Sequence, residues 1–294
     1  MTPAVAHITL PAAARLPLPR PDSWPAMRRA FACIELPRRC AKPRHTGLTM
    51  VLDKNLGLAA LADLLDSAAE AIDLVKLGWG TSATQDRDFV RRKNAMLAAQ
   101  GVLSCPGGTL FELAWLQGQV APFLIEARAL GFSCIEVSDG SVTMPHAQKL
   151  ALISQVRAAG FRVTSEVGSK NSVLDGRMGL EERVAQICSE LDAGAWKVII
   201  EARESGTQGL FDAEGATRLD LLQQIAERVD TDRLILEAPQ RSQQTALLLA
   251  LGNRVNLGNI APGDVVGLET LRLGLRSDTL DHFHLAVVSP EGSR

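Results

Sequence analysis

Between Leu48 and Ile260 the chain repeats one unit eight times: a short run of β-forming residues, then a stretch with apolar residues at helical spacing. The runs are LTMVLD (48–53), IDLVKLG (72–78), VLSCPGG (102–108), CIEVSDG (134–140), RVTSEVG (162–168), KVIIEAR (197–203), RLILEAP (233–239) and RVNLGNI (254–260). Segments such as GLAALADLLDSAAEA and PHAQKLALISQVRAAG separate them, the second ending in Gly160, as helix C-termini commonly do. Strands joined by helical crossovers run parallel and are covered on both faces. Eight such units are what a closed (β/α)8 TIM barrel needs. An open doubly wound sheet would call for a Gly-x-Gly-x-x-Gly turn after the first strand, and the sequence has no convincing one. The expected fold is therefore α/β, a (β/α)8 barrel over residues 42–294.

Residues 1–41 are expected to form a loosely ordered extension, rich in Pro and Ala and without the layout of a secretory signal. Its Arg28, Arg29, Arg38 and Arg39 read as solvated or subunit-contacting surface. The five cysteines show no metal or disulfide spacing, and an odd number suggests a reducing, cytoplasmic setting. A net charge of −2 gives no reason to expect nucleic acid, and no apolar run is long enough to span a bilayer. Arg272 and Arg276 are assigned to structural or subunit contacts, and a homo-oligomer is expected.

Strand after strand ends in a polar or charged residue. Asp53 and Lys54 close the first run, Lys76 approaches the end of the second, and Gly107, Gly108 and Thr109 follow the third. Glu136 and Asp139 mark the fourth, Glu166 and Lys170 the fifth, and Glu201, Arg203 and Glu204 the sixth. Glu237 ends the seventh, and Asn256 and Asn259 lie in the eighth. Barrel active sites are built at the C-terminal ends of strands, and a ring of buried charges needs ion pairing, a metal or an anionic ligand. In a parallel barrel alternate residues point inward, which places Lys76 inside with Leu74 and Gly78. Trp79 then becomes a wall or lid of the mouth.

These residue types suggest a chemistry. Clustered carboxylates without a Cys/His grouping favour a hard cation, Mg2+ before Zn2+, with Glu136, Glu166, Glu201 and Glu237 as the ligands to consider. Lys76, Lys170 and Arg203 offer fixed positive charge for phosphate, carboxylate or sulfonate. Backbone N–H groups at Gly107–Gly108 and Gly258–Asn259 could cradle anion oxygens. None of the five histidines falls at an expected strand end, so lysine or carboxylate must do the acid–base work.

The segments KPRHTGLTMVLDKNLGL, IDLVKLGWGTSA, CPGGTLFE, IEVSDG, SEVGSK, VIIEARESG, LILEAPQRSQQ, VNLGNI and LETLRLGLRSDT resemble, in order, the phosphosulfolactate synthase family. The similarity runs from about Lys42 to Thr279. It implies a (β/α)8 barrel, a Mg2+ requirement, and addition of sulfite to phosphoenolpyruvate, giving (2R)-phosphosulfolactate on the route to coenzyme M. It also implies a general acid that protonates C2, with Lys170 the first candidate and Lys76 the second. Two positions depart from the family pattern: Ser169 replaces the first lysine of its paired lysines, and Asn55 replaces a glycine after Asp53–Lys54. Asp53, Lys54, Arg203, Gly107, Gly108, Asn256, Gly258 and Asn259 are the expected substrate contacts, with Asn256 and Asn259 equally suited to satisfying loop backbone groups. The competing readings are a non-catalytic barrel related to heat-stress proteins, and a lyase or aldolase acting on another phosphorylated three-carbon acid.

Overall fold

The computed structural model describes residues 30–285 apart from 171–174, 177, 204 and 208. Glu204 and most of the expected N-terminal extension therefore lie outside the described residues. All eight expected strands are present: β1 (Thr49–Asp53), β2 (Leu74–Leu77), β3 (Leu103–Cys105), β4 (Cys134–Val137), β5 (Arg162–Val167), β6 (Lys197–Ile200), β7 (Leu234–Glu237) and β8 (Leu257–Ile260). They pair in parallel in the order β3-β2-β1-β8-β7-β6-β5-β4. The two ends of that order meet at one seam, where Ser133 N donates to Ser104 O (3.2 Å) and Ser104 N donates to Ser133 Oγ (3.1 Å). The result is a nearly closed (β/α)8 barrel, as the strand count predicts.

The outer ring comprises α1 (Leu58–Ala68), α2 (Arg87–Ala99), α3 (Gly108–Leu116), α4 (Val120–Ala129), α5 (His146–Ala158), α6 (Leu180–Ala193), α7 (Leu219–Ala226), α8 (Arg241–Leu251), α9 (Val265–Arg272) and the short α10 (Ser277–Leu280). Local chemistry starts several of them. Asp86 caps α2 by accepting from Asp88 N and Phe89 N, and Gln240 with Gln243 forms a reciprocal capping box at α8. Outward-facing Val51, Val75, Ile135, Val198 and Leu236 pack with Leu61, Leu97, Ile153 and Ile187 of the helices in one apolar core.

Inside the barrel the period of two creates layers. Met50, Leu74, Cys105, Cys134, Ile199 and Ile235 form a small apolar cluster. Two residues further along the same strands stand Leu52, Lys76, Glu136, Glu201 and Glu237, so the next layer is charged. Burial of that layer follows from the strand register and is then offset by pairing among its members.

The opposite end is closed by the segment before β1. Arg39, read from sequence as solvated or subunit-contacting, is instead buried: it donates to both oxygens of Glu269 (2.9 and 3.1 Å) and to Gly47 O. A guanidinium fork matches a carboxylate, so this pairing can offset its desolvation. Arg44 pairs with Asp73 (2.9 Å), and buried Arg272 donates to the carbonyls of Asn253, Val255 and Leu48. Arg272 is therefore the structural contact that the sequence suggests.

Candidate active site

One cavity of about 190 Å3 opens at the C-terminal ends of the strands, lined by Lys76, Glu136, Glu166, Lys170, Glu201, Arg203, Glu237, Gly107, Gly108, Thr109, Trp79 and Asn259, among others. Ten of the fourteen residues expected from sequence to serve the site thus meet there. Trp79 forms part of its wall and is 61% exposed.

Lys76 is the deepest cation. Its Nζ stands 3.0 Å from Glu136 Oε2, 3.3 Å from Glu237 Oε1 and 3.9 Å from Glu166 Oε2. Burial alone would pull its pKa down, but Glu136, Glu237 and Glu166 outweigh that and hold it well above the usual lysine value. Lys76 is therefore a fixed charge. Lys170 lies nearer the mouth, 3.2 Å from Thr109 Oγ1, 3.9 Å from Glu166 Oε1 and 4.0 Å from Glu112 Oε1. Burial lowers its pKa, and Glu166 with Glu112 raises it further than burial lowers it. Arg203 Nη1 donates to the Lys170 carbonyl at 2.5 Å, tying the loop after β6 to the loop after β5.

The carboxylates divide by environment. Burial pushes Glu201 up to about 10, helped by the neighbouring charges of Glu166 and Glu237, so it holds a proton at neutral pH. It hydrogen-bonds Glu166, which burial would raise but which Lys170, Lys76 and this bond together hold below the ordinary value. Glu136 is raised by burial despite Lys76, and its Oε1 accepts from Gly108 N at 2.9 Å. Glu237 Oε2 accepts from Ala202 N at 3.2 Å. Among the described residues, no group of three or more His, Cys, Asp or Glu side chains is placed to hold a metal ion. Glu166 Oε1 is nevertheless buried without a hydrogen-bond partner, and Glu136 Oε2 has only the Lys76 ammonium beside it.

Backbone geometry is unusual around this mouth. Trp79 (φ 57°), Arg203 (φ 62°) and Asn259 (φ 54°) adopt the left-handed region that favours glycine, and all three line the cavity. At Asn259 the register between β1 and β8 slips by one residue: Thr49 pairs with Leu257, whereas Val51 pairs with Ile260. Such a bulge re-aims a side chain, and Asn259 Oδ1 is left buried and unpaired.

Four of the expected site residues fall elsewhere. Asp53 is buried outside the cavity lining, its carboxylate accepting from Lys93 Nζ (2.6 Å) and Leu56 N (2.7 Å). Lys54 lies one side chain away, its Nζ 4.8 Å from the Trp79 ring. Asn256 precedes β8 and binds Leu48 N and the carbonyls of Asp232 and Leu234, which satisfies the backbone near the strand starts. Gly258 lies below the mouth, where a Cβ would come within 2.6 Å of Met50 and 2.9 Å of Ile235. The anion cradle expected at Gly107–Gly108 is also altered, because the Gly108 amide is already bound to Glu136.

Glu112 was not expected. It lies on α3, is 1% exposed, and accepts from Ser138 Oγ (2.7 Å) and Ser141 N (3.1 Å). A search of strand ends misses a carboxylate that a helix brings in. The available signal was its spacing of one helical turn after Thr109, in the loop–helix segment that follows β3.

Comparison with known proteins bears on this lysine–carboxylate cavity. Residues 37–278 match the family described as (2R)-phospho-3-sulfolactate synthase (ComA). The phosphosulfolactate synthase of Methanothermobacter thermautotrophicus is 44% identical over 250 residues, covering 85% of this chain and 97% of its own length. That of Methanocaldococcus jannaschii is 46% identical over 234 residues, covering 79% and 93%. Among solved structures, the YdjI aldolase of Escherichia coli aligns with a TM-score of 0.51 at 13% identity, over 78% of this chain and 81% of its own, a likeness of fold alone. The chain belongs to the (2R)-phospho-3-sulfolactate synthase family and is an enzyme of that kind.

Proposed function

We propose that this cavity joins sulfite to phosphoenolpyruvate, giving (2R)-phosphosulfolactate. The observation that carries the reading is the stacking of cations in one small cavity, with Lys76 deep and Lys170 beside Arg203 nearer the mouth. Both substrates are anions, and partly desolvated fixed cations attract them more strongly than solvated ones.

In this reading the sulfur lone pair forms a bond to the methylene carbon of phosphoenolpyruvate. The C2–C3 π electrons shift toward the substrate carboxylate, and a proton then arrives at C2. Lys76 offers charge to the developing negative group from below. Lys170 is the general acid, because it is the lysine at the mouth and is held by a hydroxyl as well as by carboxylates. Arg203 orients the Lys170 loop through its carbonyl. Asn259, with its unpaired amide oxygen, and Trp79 bound the space in which the substrates lie.

The residues fit Mg2+ held by one or two carboxylates, with water and substrate oxygens completing the shell, as this ion commonly prefers. Glu166 is the first carboxylate for that role, its buried Oε1 having no hydrogen-bond partner, and Glu201 would join it by releasing its proton, with Glu136 beside them. When bound there, the ion would supply positive charge beside the substrate carboxylate.

The test is direct. Purified protein with phosphoenolpyruvate, sulfite and Mg2+ should consume sulfite and give one new phosphorylated sulfonate, followed by phosphorus NMR. Unchanged substrates under these conditions would overturn the proposal.

A further inference from the structure

The cradle of Lys170 comes largely from a helix. Thr109 and Glu112 lie three residues apart on α3 and so share a face. Thr109 Oγ1 stands 3.2 Å and Glu112 Oε1 4.0 Å from Lys170 Nζ. Glu112 is itself fixed, its Oε1 accepting from Ser138 Oγ and Ser141 N. Its Oε2 is buried with no hydrogen-bond partner. A buried carboxylate is costly without a counter-charge, and Lys170, which faces Oε1, is the one cation within 4.0 Å of Glu112 among the described residues. Glu166 serves Lys170 less exclusively, because it also faces Lys76 and Glu201.

We infer that Glu112 is a positioning residue for Lys170, holding its ammonium on the α3 side of the cavity so that the proton reaches one face of the substrate's C2. The inference rests on Lys170 being the acid. Glu166 can then engage a cation or substrate without releasing Lys170, since Glu112 keeps its charge and its anchoring bonds. Thr109 supplies the direction and Glu112 the pull.

Glu112→Gln is the informative variant, because it removes the charge but keeps an acceptor for Ser138 and Ser141. The expected result is a fall in kcat on the order of 10- to 100-fold, with KM for both substrates within about twofold. After removal of phosphate, chiral chromatography should show sulfolactate as a mixture of the 2R and 2S forms. Glu112→Asp, which retains the charge, should recover part of the rate and a single enantiomer. Should Glu112→Gln fail to fold by circular dichroism, Thr109→Val tests the same face, with a smaller loss of kcat and the same mixed product expected. A single enantiomer at the parental kcat in Glu112→Gln, or in Thr109→Val where that variant is used, would overturn the inference, and so would a rise in KM alone. Lys170→Ala separates the two levels. Full turnover to one enantiomer in that variant would remove Lys170 as the acid, whatever Glu112→Gln does.

Discussion

Glu201 provides a quantitative test of the cavity's electrostatics. Its pKa is raised from 4.5 to about 10, chiefly by burial and then by Glu166 and Glu237, against the pull of Lys76 and Lys170. The folded protein therefore keeps a proton that the unfolded chain releases above about pH 4.5. The contribution of this group is fully present below pH 4.5 and falls as pH rises toward 10. One proton corresponds to about 1.4 kcal/mol per pH unit, so between pH 6 and pH 9 Glu201 should withdraw about 4 kcal/mol of stability. Glu201→Gln has the shape of the protonated acid and no such titration. Urea unfolding of parent and variant, both with chelator present, should show the variant losing about 4 kcal/mol less over that interval. Parallel losses in the two proteins would mean that Glu201 is ionised throughout, and the hydrogen bond it gives Glu166 would fall.

Three further outcomes follow from the same geometry. Lys76→Met leaves Glu136 and Glu237 facing each other without a cation and should cost about 3–5 kcal/mol at neutral pH, measured by denaturant unfolding, with a smaller cost near pH 5 where carboxylates take up protons. Lys93→Met strands the buried carboxylate of Asp53 and should destabilise by a similar 3–5 kcal/mol, while KM for phosphoenolpyruvate stays close to the parental value because neither residue lines the cavity. If the carboxylates hold Mg2+ as proposed, chelation should abolish turnover and added Mg2+ should restore it. Full activity after exhaustive chelation would refute that assignment.

The barrel was legible in the sequence because the eight β-rich runs and their helices are punctuated regularly, and parallel strands impose few alternatives. The inward register of Lys76 was legible too, since the side-chain period is fixed at two. The same rule explains the displacement of Asp53: Met50 and Leu52 point inward along β1, so Asp53 turns outward to Lys93. Proximity to a strand end was read without applying that parity. Asn256 misled for a related reason, as it precedes β8 and serves the end away from the mouth. Glu112 could not be found by examining strand ends, because its position depends on how α3 settles against β4. Nor does sequence reveal that the Gly108 amide is committed to Glu136, which follows from the approach of two loops after folding.

The seam between β3 and β4 gives these contacts a second meaning. Beyond the Ser104–Ser133 hydrogen bonds, it is crossed by Gly108 N to Glu136, Ser138 to Glu112 and Ser141 to Glu112. The bracelet is fastened by the mouth of its own candidate site. Local openings occur where a structure has few bonds to lose, and this clasp is made partly of the groups that surround Lys170. A molecule parted at the seam has therefore already lost the cradle of Lys170, the proposed acid. Turnover then serves as a gauge of ring closure, able to register a partial opening before the helices have begun to melt.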